Sequence, residues 1–528
     1  MPNDCISYQN SGYFTPLMND YLEEKDQLKP LYNRFPTLEN FKFQIEEKSD
    51  FAQSHRNVLV SVLQKQYQNI GSSEATLKNI KLLEKTNTFT VTTGHQLNLF
   101  TGPLYFLYKI ASAINLSKEL KAKYPENDFV PVYWMATEDH DFEEINYFNF
   151  KGKKFRWNRE SSGPVGRLST DGLDKFLKVF ESELGLGTNA VEIMKLFSDA
   201  YLSHDNLTDA TRHLANALFG TYGLVILDAD DRDLKREFIP FIKEELLHQT
   251  SHGKVLETVE HLKTYNIQVN PREINLFYIE NGLRERIIFQ DGKYFVNNTD
   301  KSFLEAEILS LLENEPEKFS PNVIMRPLYQ EVILPNLCYI GGGGELAYWL
   351  ELKSYFASAK VPFPMLLLRN SVLLATKKQA QKADKLDLSW SDLFLKPQEL
   401  ANLKIQTFSS FGLDFSPQKE FLKQQFDKLN EMALQTDASF SGAVKAQETK
   451  QIKGLENLEK RLLKAEKKHH AESLERIAAL QLELFPNNSL QERFANFSEF
   501  YLEEGQDLIK RLLTELKPLE QNFSIIVL

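Results

Sequence analysis

The sequence predicts an α/β protein built on a parallel sheet and followed by a long helical domain. Three observations carry this. A β-branched run at residues 89–93 and apolar runs at 129–135 and 223–228 alternate with stretches of helical apolar spacing, the pattern of strands buried on both faces by helices. Each run ends in polar or acidic residues, where a doubly wound fold places its ligands. Beyond about Asn370 the chain turns rich in lysine, glutamate and leucine with alternating three- and four-residue apolar steps.

The elements follow in order. Residues 1–75 read as helical, with apolar positions at helical spacing between Leu17 and Leu63. Phe89, Thr90, Val91, Thr92 and Thr93 form a run of high strand propensity. It meets Gly94 and a polar loop, and Pro103 then opens a helix, since proline is tolerated in a first turn. The second strand, residues 129–135, ends in the acidic run TEDHDFEEIN, and the third ends in DADDRDLKREF before another helix. Insertions interrupt this core. Lys151-Gly152 marks a hairpin, and Asn281-Gly282 with Asp291-Gly292 marks a three-stranded meander over residues 274–297. The core resumes near residue 320 and finishes in residues 364–369.

In the C-terminal region Leu455, Leu458, Leu462, Ala465 and His469 keep helical spacing, and Leu474, Ile477 and Leu484 continue it in a shifted register. One helix over 455–485 would be about 45 Å long. Its narrow apolar seam requires a partner, either a later helix of the same chain (491–515) or a second subunit.

Composition narrows the function. A net charge of −11 argues against a nucleic-acid binder, whose affinity rests on phosphate contacts. The two cysteines, Cys5 and Cys338, are too far apart in sequence and too few for a zinc site of any usual spacing, and they read as reduced thiols. No run approaches the roughly 20 apolar residues of a membrane span. The first residues lack a basic start followed by an apolar stretch, so no secretory leader is expected. A soluble cytoplasmic protein is the expectation, with neither membrane nor nucleic acid as partner.

Three clusters could carry chemistry. In TTGHQLNLFTGPLYFLYK, Gly94 allows close backbone approach, and His95, Gln96, Asn98, Thr101 and Gly102 lie at a helix opening with Lys109 about two turns in. Helix-start amides there could hold an anion; a polar loop with a helix cap is the plainer alternative. Glu138, Asp139, His140 and Asp141, followed by Glu143 and Glu144, could bind an ammonium group, hold Mg²⁺ or act as a general base. An acidic helix start would look the same. Arg326, Gln330 and Glu331 lead into Gly341, Gly342, Gly343, Gly344 and Glu345, a stretch of bare backbone that suits either a ligand or a tight strand–helix junction. Asp228, after the third strand, is a weaker candidate because aspartate often caps helices. Walker, G-x-G-x-x-G and G-x-S-x-G patterns are missing.

Taken together, these blocks resemble one family. TTGHQLNLFTGPLYFLYKI, PVYWMATEDHDFEEIN, RPLYQEVILPNLCYIGGGGELAYW and LFPNNSLQERFANF are similar, in order and along the whole chain, to the blocks of the bacillithiol biosynthesis cysteine-adding enzyme family (BshC). The resemblance implies a Rossmann-like core related to class I aminoacyl-tRNA synthetases, connecting-peptide insertions, and a C-terminal α-helical coiled coil that makes a homodimer. It implies boundaries of 1–80 for an N-terminal helical segment, 81–380 for the core with insertions at about 151–220 and 250–318, and 381–528 for the coiled coil. It implies a ligase that adds L-cysteine to the amine of glucosaminyl malate, with ATP or ADP as cofactor. His95 stands where the family usually has glutamine, and no K-M-S-K-S loop is visible.

Within that expectation the loop from Gly94 to Pro103 is the candidate for phosphate or adenylate. Glu138, Asp139 and Asp141 are candidates for an amino group, and Arg326 for a carboxylate such as the malate. Two rivals remain: a metal-dependent hydrolase or deacetylase using His140, and a dimeric scaffold with a vestigial core.

Overall fold

The computed structural model describes residues 1–68, 70–436 and 438–528. Positions 69 and 437, inside the expected N-terminal and C-terminal helical regions, lie outside the described residues. The chain divides into two compact units. One comprises residues 5–373 and 489–526, the other residues 1–4, 374–488 and 527–528.

The larger unit is built on a five-stranded parallel sheet. Its strands are β1 (Thr88–His95), β2 (Asp128–Met135), β5 (Val225–Asp228), β11 (Asn336–Gly341) and β12 (Met365–Leu368), with β3 (Tyr147–Phe150) and β4 (Lys153–Arg156) forming the hairpin between β2 and β5. The spatial order is β12-β11-β1-β2-β5. Every residue of β1 is buried, which is why its sequence is a continuous β-branched run rather than an alternation. Helix α1 (Tyr105–Lys123) is buried nearly all round from Phe106 to Ser117, and Ala113, Leu116 and Leu120 pack with Phe89, Val91, Phe129 and Ile340 in the main core. Each of the larger ones, leucine, valine, isoleucine or phenylalanine, contributes roughly 1.5–3 kcal/mol.

Chain order reverses between β1 and β11. Successive strands β1, β2 and β5 run to one side, and β11 and β12 to the other. The carboxyl ends of β1, β2 and β11 therefore border a crevice at the switch point.

Two insertions wall this crevice. The first carries the β3–β4 hairpin, with Lys151 (φ 48°) and Gly152 (φ 76°) both left-handed as a tight turn requires, and three helices, α2 (Leu173–Leu184), α3 (Thr188–Tyr201) and α4 (Leu207–Phe219). The second contains the expected meander, β6 (Leu276–Glu280), β7 (Leu283–Gln290) and β8 (Lys293–Val296). Two strands not anticipated, β9 (Ser302–Phe303) and β10 (Phe319–Pro321), extend it to five in the order β9-β8-β7-β6-β10. Both are too short to show an alternation pattern. Within the N-terminal region, otherwise helical, Asp4–Ser7 is a strand.

The smaller unit departs from expectation in its long helix. Helix α5 (Ser416–Ala433) pairs with α6 (Ala438–His469), and the chain breaks at His470 (φ −101°, ψ 23°) before α7 (Ala471–Leu484). Phe426, Ala433 and Val444 form the seam between α5 and α6, with Leu422 beside them, and Lys419 Nζ sits 2.6 Å from Glu459. The partner of the long helix is therefore the earlier helix α5. Residues 491–515, the partner expected within the chain, belong to the larger unit. Pairing with the preceding helix is not advertised by local sequence spacing. Ile477, Leu480 and Leu484 are buried, which accounts for the register shift read after residue 469.

Candidate active site

A crevice of about 1150 Å³ opens at the switch point and lies wholly within the larger unit. Gly94, His95, Gln96, Asn98 and Lys109 reach it from β1 and α1, and Glu138 and Asp139 from the end of β2. Arg326, Gly342 and Glu345 reach it from the β11 side. Seven cationic side chains line it against four acidic ones, a positive cleft in a chain of net charge −11.

Lys109 and Glu345 form its floor. Lys109 Nζ lies 2.5 Å from Glu345 Oε2 and donates to Gly94 O at 2.7 Å. The carboxylate also accepts from Tyr339 Oη (2.7 Å) and Gly342 N (2.8 Å). Burying two ions costs several kcal/mol each unless their remaining hydrogen-bonding capacity is met, and here it is. Burial would raise the Glu345 pKa, but Lys109 and these donors hold it below the usual value.

His95 is buried, with rings of Tyr105 and Phe106 about it at 5.3 and 5.0 Å. Burial and then Lys109 push its pKa well down, so the imidazole is neutral, and Nε2 has no hydrogen-bond partner among the described residues. Gln96 Nε2 donates to Asp139 (2.9 Å) and to Glu144 (2.8 Å). Among the described residues Arg326 pairs with no carboxylate; it donates to Gln330 (3.1 Å) and Tyr348 Oη (3.2 Å), with the Trp134, Tyr339 and Trp349 rings 5.6–5.9 Å from its guanidinium.

Other expected site residues stand elsewhere. Thr101 and Gly102 do not line the crevice. Their loop is held in an unusual conformation, with Phe100 (φ 48°) and Thr101 (φ 68°) left-handed. Gly102 (φ 65°, ψ −135°) is in a region that only glycine occupies readily, where a Cβ would come 2.6 Å from that of Asn98. The loop's role is to bury Phe100 among Phe148, Phe180, Phe197 and Phe497. Gly341 is packed rather than open, since a Cβ there would meet Leu346 at 2.9 Å. Gln330 is buried behind Arg326 and donates to Glu331 (3.0 Å). Asp228 faces a second cavity of about 710 Å³ and accepts from Thr137 Oγ1 at 2.5 Å.

His140 and Asp141 also lie outside the crevice lining, because the acidic run makes only a single helical turn, Phe142–Ile145, and turns outward before it. Arg284 contacts His140 Nδ1 at 2.7 Å, and a guanidinium there repels a second cation, which disfavours the metal-hydrolase alternative. Among the described residues no group of three or more His, Cys, Asp or Glu is placed to hold a metal ion.

The sequence reading missed several residues. Lys235, from the helix after β5, bridges Glu138 (2.6 Å) and Asp230 (2.8 Å). Arg272, Arg284 and Arg286 reach the crevice from the second insertion and its lead-in. Near the C-terminus Glu492 pairs with Arg369 (2.7 Å), and Asn496 Nδ2 donates to Phe100 O (2.8 Å) and Gly102 O (2.7 Å). The Q-E-R-x-x-N stretch singled out in the sequence is thus a clamp on the first loop, a signal visible in the motif but without its purpose.

Fold and crevice together define a Rossmann-like α/β protein with a small-molecule cleft at the topological switch point. The chain belongs to the bacillithiol biosynthesis BshC family: its N-terminal Rossmann-like domain model matches residues 1–370 and its C-terminal coiled-coil domain model matches residues 372–528. Relatives from Flavobacterium johnsoniae (69% identical, covering 100% of both chains), Flavobacterium psychrophilum (64%, covering 100% of this chain and 99% of the relative) and Christiangramia forsetii (58%, with the same coverage) carry the description "Putative cysteine ligase BshC". A solved structure titled as a "putative arginyl t-RNA synthetase" from Campylobacter jejuni covers 86% of this chain and 99% of its own at 10% identity, with a TM-score of 0.21. At that score the likeness carries no weight.

Proposed function

We propose that the protein is a cytoplasmic ligase that joins the carboxyl group of L-cysteine to the amine of glucosaminyl malate, using an adenine nucleotide. The observation that carries this reading is the switch-point crevice, positive overall yet presenting carboxylates at the end of β2. Bound ATP, with Mg²⁺ as its counter-ion, would supply the activation that an amide bond needs. The residues that fit it are Gly94, His95 with its open Nε2, and the bare backbone at Gly342. Arg326, paired with no carboxylate among the described residues, is suited to an anionic group of either substrate.

The acidic end divides into two tasks. Glu138 is committed to Lys235, so its charge is already balanced. Asp139 is only partly buried and accepts a neutral hydrogen bond from Gln96, which leaves it able to hold an ammonium group or take the proton lost by the attacking amine. Asp141, exposed and outside the crevice, fits neither task.

Complementation of a bacillithiol-deficient strain lacking the native gene, read by thiol labelling, tests the proposal. Asp139→Asn should cut turnover about 10²–10⁴-fold without unfolding the chain, and Asp141→Asn should leave most of it. Failure of the wild-type chain to restore any bacillithiol would sink the ligase reading. Full restoration by Asp139→Asn would remove that carboxylate from the chemistry.

A further inference from the structure

The parallel core supplies the floor of the crevice, but three of its seven cations come from the second insertion and the segment leading into it. Arg284 and Arg286 are two apart on β7, so both side chains leave the same face of the strand, their Cα atoms roughly 6.6 Å apart. Phe277, directly across from Arg286 in register, sets its ring 4.0 Å from the Arg284 guanidinium. Arg284 is further held by Ser320 Oγ (3.2 Å) and Pro321 O (3.3 Å). Arg272 and Arg286 differ from it: among the described residues neither side chain forms an ion pair or a hydrogen bond.

That is an unusual arrangement. Two acids of the crevice are ion-paired, Glu345 with Lys109 and Glu138 with Lys235, while Asp139 and Glu144 share the neutral amide of Gln96. Among the described residues neither Arg272 nor Arg286 is paired with any of these acids, and their guanidiniums are planar forks matched to carboxylates or phosphates.

We propose that Arg272, Arg284 and Arg286 form the subsite for the carboxylates of the acid-bearing substrate, so that the insertion rather than the Rossmann core selects it. This rests on the ligase reading for the identity of that acid. The shared chemistry is a small di- or polyanion; the carboxylate source is a malyl group and the phosphate source the nucleotide. Arg286 and Arg272 supply the discriminating bonds, because Arg284 already spends its donors on the protein.

Calorimetry on the full chain, with L-malate as one probe and ADP as another, decides it. Malate should bind at millimolar concentration or tighter, and Arg272→Gln and Arg286→Gln should each weaken it about 10–100-fold, the scale of a lost charge-assisted bond. Arg286→Lys should recover only part, since it keeps the charge but not the fork. ADP affinity should be unchanged. No malate uptake, malate affinity indifferent to both variants, or an equal loss for ADP would each overturn the subsite. If malate binds through these arginines and the chain still restores no bacillithiol, the ligase reading fails and the subsite stands. If bacillithiol is made while malate affinity ignores the variants, only the subsite fails.

Discussion

Lys235 Nζ lies 2.6 Å from Glu138 Oε1 and 2.8 Å from Asp230 Oδ1, so one buried ammonium serves two carboxylates that line different cavities. Arg167 brackets Asp230 from the other side at 2.8 and 3.0 Å. Burial raises the Glu138 pKa despite Lys235, whereas Lys235 and Arg167 overcome burial at Asp230 and hold it at about 2.

Removing the shared cation should leave Glu138 buried without its ion-pair partner and Asp230 with Arg167 alone. Lys235→Met is expected to destabilise the protein by about 3–5 kcal/mol, the usual cost of breaking a buried pair from one side. Adding Asp230→Asn and Glu138→Gln to it should recover much of that loss. Chemical denaturation of the single and triple variants checks both expectations.

Glu351 should make stability fall as pH rises toward neutrality. It accepts from the backbone amides of Gln268 (2.7 Å) and Val269 (3.3 Å), and burial lifts its pKa from 4.5 to about 7 despite them. The folded state then holds a proton that the unfolded chain has released between pH 4.5 and 7, so the stabilising contribution is present below 4.5 and lost across that window. In Glu351→Gln this part of the slope should vanish. Its melting temperature relative to wild type should climb as pH goes from 5 to 7; a constant difference would contradict the assignment.

The loop at residues 98–102 should depend on a residue almost 400 positions away. Asn496→Ala leaves the buried Phe100 and Gly102 carbonyls without their donor, a loss of about 2–3 kcal/mol. Gly102→Ala should cost about 1–3 kcal/mol through its backbone conformation alone. Urea unfolding followed by tryptophan fluorescence reads both.

The helical unit leaves apolar side chains uncovered. Phe421, Leu429, Met432 and Leu458 are 42–63% exposed on α5 and α6, more than a hairpin closed on itself should leave. The expected outcome is a homodimer by light scattering at micromolar concentration, and a monomer once Phe421, Leu429, Met432 and Leu458 are replaced by serine. A monomeric full-length chain would remove this proposal.

The candidate site was legible to the extent that its residues sit directly after strands. Gly94 and His95 end β1, Gln96 and Asn98 follow it, and Glu138 and Asp139 follow β2; strand position could be read from composition. Where the local turn mattered, the sequence misled: His140 and Asp141 share the acidic run with Asp139, but the backbone turns them away from the crevice. Arg286 and Lys235 gave no signal, because nothing local distinguishes an arginine on a meander or a lysine on an amphipathic helix from a solvated one.

The sequence by itself determined the parallel core, the hairpin turns, the family, and the change to a helical C-terminal region. All of these are written in short-range patterns: β-branched runs, Asn-Gly and Asp-Gly pairs, apolar spacing, contiguous motifs. Only the tertiary structure decided that α5 partners the long helix, that residues 489–526 join the core unit, and that Asn496 clamps the loop before α1. It also decided which acids are neutralised and which cations stand alone in the crevice. Those outcomes depend on contacts between residues tens to hundreds of positions apart, and pairing and burial across such distances leave no periodic trace in the chain.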